Sequence, residues 1–486
     1  MTSAETLTTA ETLTATVSYI ESWLSYQAWK GRVPGVQAAI FFDGEVKMSM
    51  AFGFADVNEG SALTTRHLFR IASHSKTFTA TAILQLVEQG MLRLDDTAGM
   101  FLPVLVAGGS PLTGVTVREL LEHSGGVIRD GLDGDYWQYG RQFPDEAELL
   151  AMVLEGGYKA EANESFNYSN IGYSLLGLII GVVSGQTYND YVTRHIVEPL
   201  GLLNTGPEWD DIRAAEFATG YTGLQTSLER RAIPHVDTRS MAAATGFYST
   251  AADLVTYAAA HFAGNESLLS DASKRVQQRE HWRSDPAEPT ASGYGLGMIV
   301  EKIGNRQVIG HSGGYPGHIT RTIFDPIEGF AVSVLTNAID GPASPLALGV
   351  MKLLDAALTG AAPVSNSVVS NSAVSSDAAV DVTVDASRFV GRYANLWEVL
   401  DIVQLGNRLV ALNPASADPL LGLDELAVIS DDTLLISKGS GFGSIGELMH
   451  FEFRADGAVS RVRGGGGITL LPFDVKLADK WLPPFA

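Results

Sequence analysis

Apolar and polar positions follow different rhythms along this chain. Residues 15–30 carry helical spacing. In VQAAIFFDGEVKMSMAFGFAD (36–56), two β-rich runs flank Asp43-Gly44, a pair favoured in tight hairpin turns. Residues 75–265 are mainly helical in pattern. Strand patterning returns in YGLGMIVEKIGNRQVIGHSGG (294–314), with a turn at Gly304-Asn305, and in TRTIFDPIEGFAVSVLTN (320–337), with a turn around Pro326–Gly329. A helix-like segment, SPLALGVMKLLDAAL, follows. Strands from both ends of a long segment therefore bracket a helical middle. The economical architecture is α/β: one antiparallel β-sheet built from both ends, flanked by helices, with a helical subdomain between them.

Beyond residue 360 the pattern changes. Residues 361–385 are rich in Ser, Ala, Val and Asn, lack basic residues and have no amphipathic period, which marks an interdomain linker. In 386–486, short alternating runs such as LDIVQL, RLVAL and HFEFR are separated by Gly, Asp and Asn. They predict a small all-β domain, a barrel or a sandwich. The expected organisation is a catalytic-sized domain over 1–360, the linker, and a C-terminal β-domain over 386–486. A length of 486 residues suits two domains.

Composition narrows the function classes. Asp and Glu number 55 against 33 Lys and Arg, a formal charge of −22. Nucleic acid and anionic membranes are poor partners for such a surface. The absence of cysteine removes disulfides, thiolate catalysis and Cys–zinc sites. The N-terminus lacks a basic start followed by an apolar run, and the apolar stretch 171–183 is too short and too rich in Gly and Ser to span a bilayer. The expectation is a soluble, cytoplasmic protein. His311 and His318 stand seven apart with no carboxylate at ligand spacing, so no metal and no cofactor are expected.

Candidate chemistry begins in FRIASHSKTFTATAILQLVEQGML (69–92). The pattern from Thr77 to Gln89 is helical, so Ser73 falls at or just before a helix N-terminus and Lys76 lies one turn on. A serine hydroxyl needs an adjacent base to attack, and a desolvated amine supplies one. Alone, the Ser-x-x-Lys spacing reads equally as a helix cap and a surface lysine. In ESFNYSNIGYSLLGLIIGVVSGQ (164–186), Tyr168 and Asn170 sit in a polar turn before a buried helix. Tyr168 is a candidate proton relay, and Asn170 a holder of Lys76 or of a substrate carbonyl. A second Tyr-x-Asn, Tyr393 to Asn395, lies past the linker.

HSGG occurs twice. The copy at 123–126 ends a helix, where His suits the C-terminal dipole and Gly the cap, so His123 reads as scaffold. The copy at 311–314 ends or continues a strand. Its glycines, Gly313 and Gly314, allow close approach of a ligand, and exposed strand N–H groups can hold an oxyanion. His318 and Arg321, just beyond, are candidate pocket-lining residues, with plain surface positions as the alternative.

The ordered set Ser73-x-x-Lys76, Tyr168-x-Asn170 and His311-x-Gly313 resembles the penicillin-recognising serine hydrolases. Among them it is most similar to the class C β-lactamase, D-aminopeptidase and family VIII esterase branch. The likeness runs over roughly 20–360, through VPGVQAAIFFDGEV, VTVRELLEHSGG, ATGFYSTAADL, GYGLGM and HSGGYPGH. It implies a serine β-lactamase/DD-peptidase-like fold with Ser73 as acylated nucleophile and Lys76 as its base. Tyr168 would relay the proton, Asn170 would position substrate, and the N–H groups of Ser73 and Gly314 would form the oxyanion hole. His311 stands where relatives carry the lysine of Lys-Thr-Gly. A shorter, only partly charged side chain there puts β-lactamase action in doubt. Histidine at this place is similar to D-aminopeptidases, some of which carry a lipocalin-like C-terminal barrel. The expected activity is a peptidase or D-aminopeptidase-like amidase acting on small peptide, amide or ester substrates. A carboxylesterase and a non-catalytic ligand-binding homologue stay open as alternatives, as does assembly into a homo-oligomer.

Overall fold

A computed structural model describes residues 9–224, 228–285, 287, 291–359, 385–395, 399–438, 446–464 and 469–474. The chain divides into two compact units. One is Gly31–Ala347; the other joins Met1–Lys30 to Leu348–Ala486. The segment read as a linker lies outside the described residues, apart from Asp385.

The unit Gly31–Ala347 is built on a nine-stranded antiparallel sheet. Its strands are β1 (Gly35–Phe42), β2 (Glu45–Asp56), β3 (Ser61–Ala62), β4 (Trp282–Arg283), β5 (Gly293–Tyr294), β6 (Ile299–Ile303), β7 (Arg306–Tyr315), β8 (His318–Asp325) and β9 (Phe330–Thr336). The spatial order is β3-β2-β1-β9-β8-β7-β6-β5-β4, so both ends of the segment meet at the β1–β9 pair. The expected antiparallel sheet is present, with its turns at the expected places. Asp43 and Gly44 both take positive φ, 52° and 80°, as a two-residue turn of this hand requires. Strand β9, FAVSVLT, is buried at every position, which explains its continuous apolar run. Helix Ala251–Ala259 packs on β1, β8 and β9.

The helical middle supplies the other wall. Helix α1 (Ser75–Glu88) is buried over eleven positions, from Ser75 through Leu84 and at Leu86. It starts two residues before the expected Thr77. A 3-10 turn, Ala72–His74, leads into it, so Ser73 sits in that turn. Helix α2 (Asn170–Ser184) is capped by the Ser169 hydroxyl, which accepts from the Gly172 N–H, and is stopped by Gly185 at φ 70°. Among the described residues, no single helix is long and apolar enough to cross a membrane. No group of three or more His, Cys, Asp or Glu side chains is placed to hold a metal ion there.

The second unit contains a closed barrel of eight antiparallel strands, from Gly391–Ala394 to Thr469–Pro472. Its interior is apolar, with Phe389, Tyr393, Leu434 and Phe451 at the centre. Tyr393 of the second Tyr-x-Asn belongs to this core, and its hydroxyl donates to the Phe389 carbonyl at 2.9 Å.

Candidate active site

Ser73 is held by its backbone. Ala72, just before it, has φ +46°, a left-handed conformation that costs an L-residue about 1 kcal/mol. The turn is pinned by neighbours on both sides. The Ser75 hydroxyl donates to the Ala72 carbonyl at 2.6 Å and accepts from the Phe247 N–H at 3.0 Å. The His74 ring bridges Thr320 and Thr322 of β8 at 3.2 and 3.0 Å. The Ser73 turn is thereby fixed against β7 and β8.

Lys76 is fully buried. Its Nζ lies 2.7 Å from Asn170 Oδ1, 2.9 Å from the Ala244 carbonyl and 3.2 Å from Ser73 Oγ. Burial pushes the amine well below its usual pKa; Asp130 opposes that shift and Arg129 adds to it. Tyr168 lines the same cleft as Ser73, with Lys76 Nζ 4.7 Å from the centre of its ring. Burial pushes the phenol above its usual range; the Ser73 hydroxyl and Arg129 partly offset it, and Asp130 adds to the rise. Burial thus disfavours charge on both partners, the ammonium of Lys76 and the phenolate of Tyr168.

Strand β7 forms the facing wall. Its pairing to β6 runs from Arg306 to Gly310, so residues 311–315 have an unpaired edge on that side among the described residues. Ser73, Tyr168, His311, Ser312 and Gly314 line a cleft of about 360 Å³. Gly313 is packed on the turn: a Cβ there would come within 2.1 Å of the Ile71 carbonyl oxygen. The structure thus brings together Ser73, Lys76, Tyr168, Asn170, His311, Gly313 and Gly314.

His311 differs from its expected state. Its Nδ1 lies 2.6 Å from the Ser312 carbonyl, which only accepts, so Nδ1 carries the proton and Nε2 accepts from the Tyr294 hydroxyl at 3.1 Å. Burial, then His74, then Lys76, push its pKa well below the usual value, so the ring is neutral rather than partly charged.

His318 and Arg321 do not line this cleft. Both lie within β8, not on the surface after β7. His318 is fully buried among Phe69, His235 and Tyr315. Arg321 pairs with Glu301 of β6, and only 4% of its side chain is exposed. His123 supports the site from behind, as a scaffold residue. Its Nδ1 accepts from the Ser169 N–H at 3.1 Å, and its ring lies 4.3 Å from that of Tyr168. It also takes the left-handed position after its helix itself, with φ 63°, a place expected for glycine.

Arg129, Asp130 and Trp137 complete the cleft, and Tyr294 backs His311. None is marked by motif spacing. The signal available was an Arg-Asp pair in an otherwise glycine-rich loop, GGVIRDGLDG, directly after the first HSGG.

A hydroxyl beside a buried amine and a phenol, with an open strand edge opposite, is the chemistry of a serine hydrolase. The sequence narrows this class: residues 18–353 match the family model described as Beta-lactamase, and the chain belongs to that family. Penicillin-binding protein 4* of Bacillus subtilis is 30% identical over 304 residues, covering 58% of this chain and 63% of that protein. Other curated relatives are matched over 62% of their length, so the chain spans under two thirds of these proteins. The octameric penicillin-binding protein homologue from Pyrococcus abyssi superimposes with a TM-score of 0.61 at 24% identity, covering 92% of this chain and 97% of the other. That likeness takes in the barrel as well as the sheet. D-amino acid amidase from Ochrobactrum anthropi SV3, complexed with L-phenylalanine amide, gives 0.56 at 26% identity, covering 69% of this chain and 95% of the other.

Proposed function

We propose that this protein is an amidase or peptidase that works through an acyl-enzyme on Ser73. The observation that carries the reading is the Lys76 amine, buried and 3.2 Å from the Ser73 hydroxyl. The Ser73 proton passes to Lys76 Nζ as Oγ bonds to the substrate carbonyl carbon. The resulting oxyanion rests on the backbone N–H groups of Ser73 and Gly314. Tyr168 gives its hydroxyl proton to the leaving nitrogen, the C–N bond breaks, and the proton on Lys76 restores the phenol. Water then attacks the ester, losing its proton to the same pair, and the acid departs with Ser73 reprotonated. The amide bound to the related D-amino acid amidase supports an amide substrate here.

A fluorophosphonate probe tests the reading. Intact mass should gain one adduct in the native chain and none in Ser73→Ala, and turnover should appear on a panel of D- and L-aminoacyl amides, short peptides and p-nitrophenyl esters. No adduct and no turnover would make this a ligand-binding homologue instead. A carboxylesterase would use the same groups, and the neutral His311, which offers no charge to a substrate carboxylate, suits an uncharged ester equally well. Preferential turnover of esters by the native protein would favour it.

A further inference from the structure

To take the Ser73 proton Lys76 must act as a free amine, which has two protons to give and one lone pair to receive with. Around Lys76 Nζ stand two groups that here only accept, Asn170 Oδ1 at 2.7 Å and the Ala244 carbonyl at 2.9 Å, and one hydroxyl, Ser73 Oγ at 3.2 Å. The two acceptors take both N–H protons, which leaves the lone pair for the Ser73 O–H. The arrangement holds only while Asn170 presents its oxygen. Rotated by half a turn, its NH₂ would donate to the lone pair and disarm the base.

The amide orientation is set from its far side. Asn170 Nδ2 donates to Asp130 Oδ1 at 2.6 Å, and a carboxylate has no proton to return. The same oxygen accepts from Trp137 Nε1 at 3.0 Å, while Asp130 Oδ2 accepts from Arg129 Nε at 3.1 Å. The backbone joins in, because the Asn170 N–H donates to the Arg129 carbonyl at 2.9 Å. We propose that Asp130 is a positioning residue that locks the Asn170 amide and so aims the Lys76 lone pair at Ser73. The inference rests on the acyl-enzyme reading above.

Other groups face Lys76 too. They are the rings of Tyr168 and Tyr173, at 4.7 and 5.5 Å from Nζ, with His123 and His311, both held neutral by burial, and Arg129. Asp130 is the only carboxylate among them to act on the amine, and its charge favours the protonated form. Asp130→Asn keeps an oxygen for Asn170 and Trp137 but removes the charge. Asp130→Ala removes both.

The experiment follows Ser73 acylation by a fluorophosphonate across pH in the full chain, normalised to the fraction that finally labels, with melting temperature as a folding check. Asp130→Ala should acylate roughly 10–100-fold more slowly. Asp130→Asn should retain at least about tenfold more of the native rate than Asp130→Ala, with its acidic limb moved to lower pH because the charge that favours protonated Lys76 has been removed. A purely structural role would lower the labelled fraction and leave rate and limb in place, which overturns the proposal, as does a native rate in Asp130→Ala. No label in the native protein sinks the Ser73 reading and this inference with it; a native label with unmoved variants sinks this inference alone.

Discussion

Gly313→Ala isolates the contact between β7 and the Ser73 turn. A Cβ at this position would stand 2.1 Å from the Ile71 carbonyl oxygen, 2.5 Å from Thr320 Oγ1 and 2.9 Å from the Ile71 carbonyl carbon. Two of these are backbone atoms, which no rotamer change relieves. Restoring a 3.4 Å contact with the nearest of them requires strand and turn to part by about 1.3 Å. The proposed oxyanion donors sit on opposite sides of this contact, Ser73 on the turn and Gly314 on the strand, so their spacing must open. Losing one such donor lowers kcat by about 10²–10³, and overpacking of this kind costs about 1–3 kcal/mol of stability. Gly314→Ala is the steric control. Its Cβ meets only Ile319 Cδ1, at 3.6 Å, so stability should stay within about 0.5 kcal/mol of native. Steady-state hydrolysis of a p-nitrophenyl ester and urea unfolding read both quantities. Native kcat and native stability in Gly313→Ala would refute the assignment of this contact.

Three further outcomes follow from the same geometry. Tyr168→Phe should lower amide turnover by about 10²–10⁴ and ester turnover much less, because an alkoxide leaves with less need of a proton; parallel kcat measurements on matched amide and ester substrates check it. Burial holds the folded-state pKa of Lys76 well below the ordinary 10.5 of the unfolded chain, so between the two values the unfolded state binds more protons and folded stability relative to Lys76→Met should rise with pH toward 10.5, by up to about 1.4 kcal/mol per pH unit, in denaturant titrations up to pH 10. Burial opposes the charge of Glu122, but the His281 ring 2.9 Å away and hydrogen bonds from Trp282 and Ser124 hold its carboxyl below the usual 4.5. Glu122→Ala should therefore destabilise by about 3–5 kcal/mol at neutral pH, with the gap to native narrowing as pH falls below 4.5, measured by urea unfolding at stepped pH.

The legible parts of this chain were those written in local chemistry. Asp43-Gly44 and Gly304 needed left-handed turns and took them, at φ 52°, 80° and 58°. The grouping of Ser73, Lys76, Tyr168, Asn170 and His311 was carried by motif order, since nothing local tells a chain that residues 76 and 170 meet. Faces within buried strands were illegible. Strand β8 is buried or half-buried along its whole length, so no alternation of polar and apolar residues separates the side toward the Ser73 turn, where Thr320 and Thr322 meet His74, from the side that carries Arg321. His318 and Arg321 were misjudged for that reason. Asp130 and Trp137 were silent because their loop has no period, and their roles depend on the amide of a residue forty positions away.

The charge state of the cleft is a property of the fold alone. Burial is the largest influence on His74, His123, His311 and Lys76, and all four are pushed down, His74 to about 3. Each would also repel a proton on its neighbours: His74 and Lys76 lower His311, and His311 and Lys76 lower His123. A proton arriving on any one makes the others harder to charge, so the inner cleft resists cationic charge as a group. A lysine in place of His311 would set a second amine on that wall, a cation at its ordinary pKa, beside Lys76. With His311, whose Nδ1 proton is spent on the Ser312 carbonyl and whose Nε2 is occupied by Tyr294, the wall offers a substrate neither charge nor a free N–H from this ring. Keeping Lys76 unprotonated and binding a carboxylate on β7 are opposed demands, and this sequence answers the first. On the acyl-enzyme reading, selectivity would come from the backbone edge of 311–315 and from the Arg129–Asp130 wall, where the remaining charges of the cleft reside.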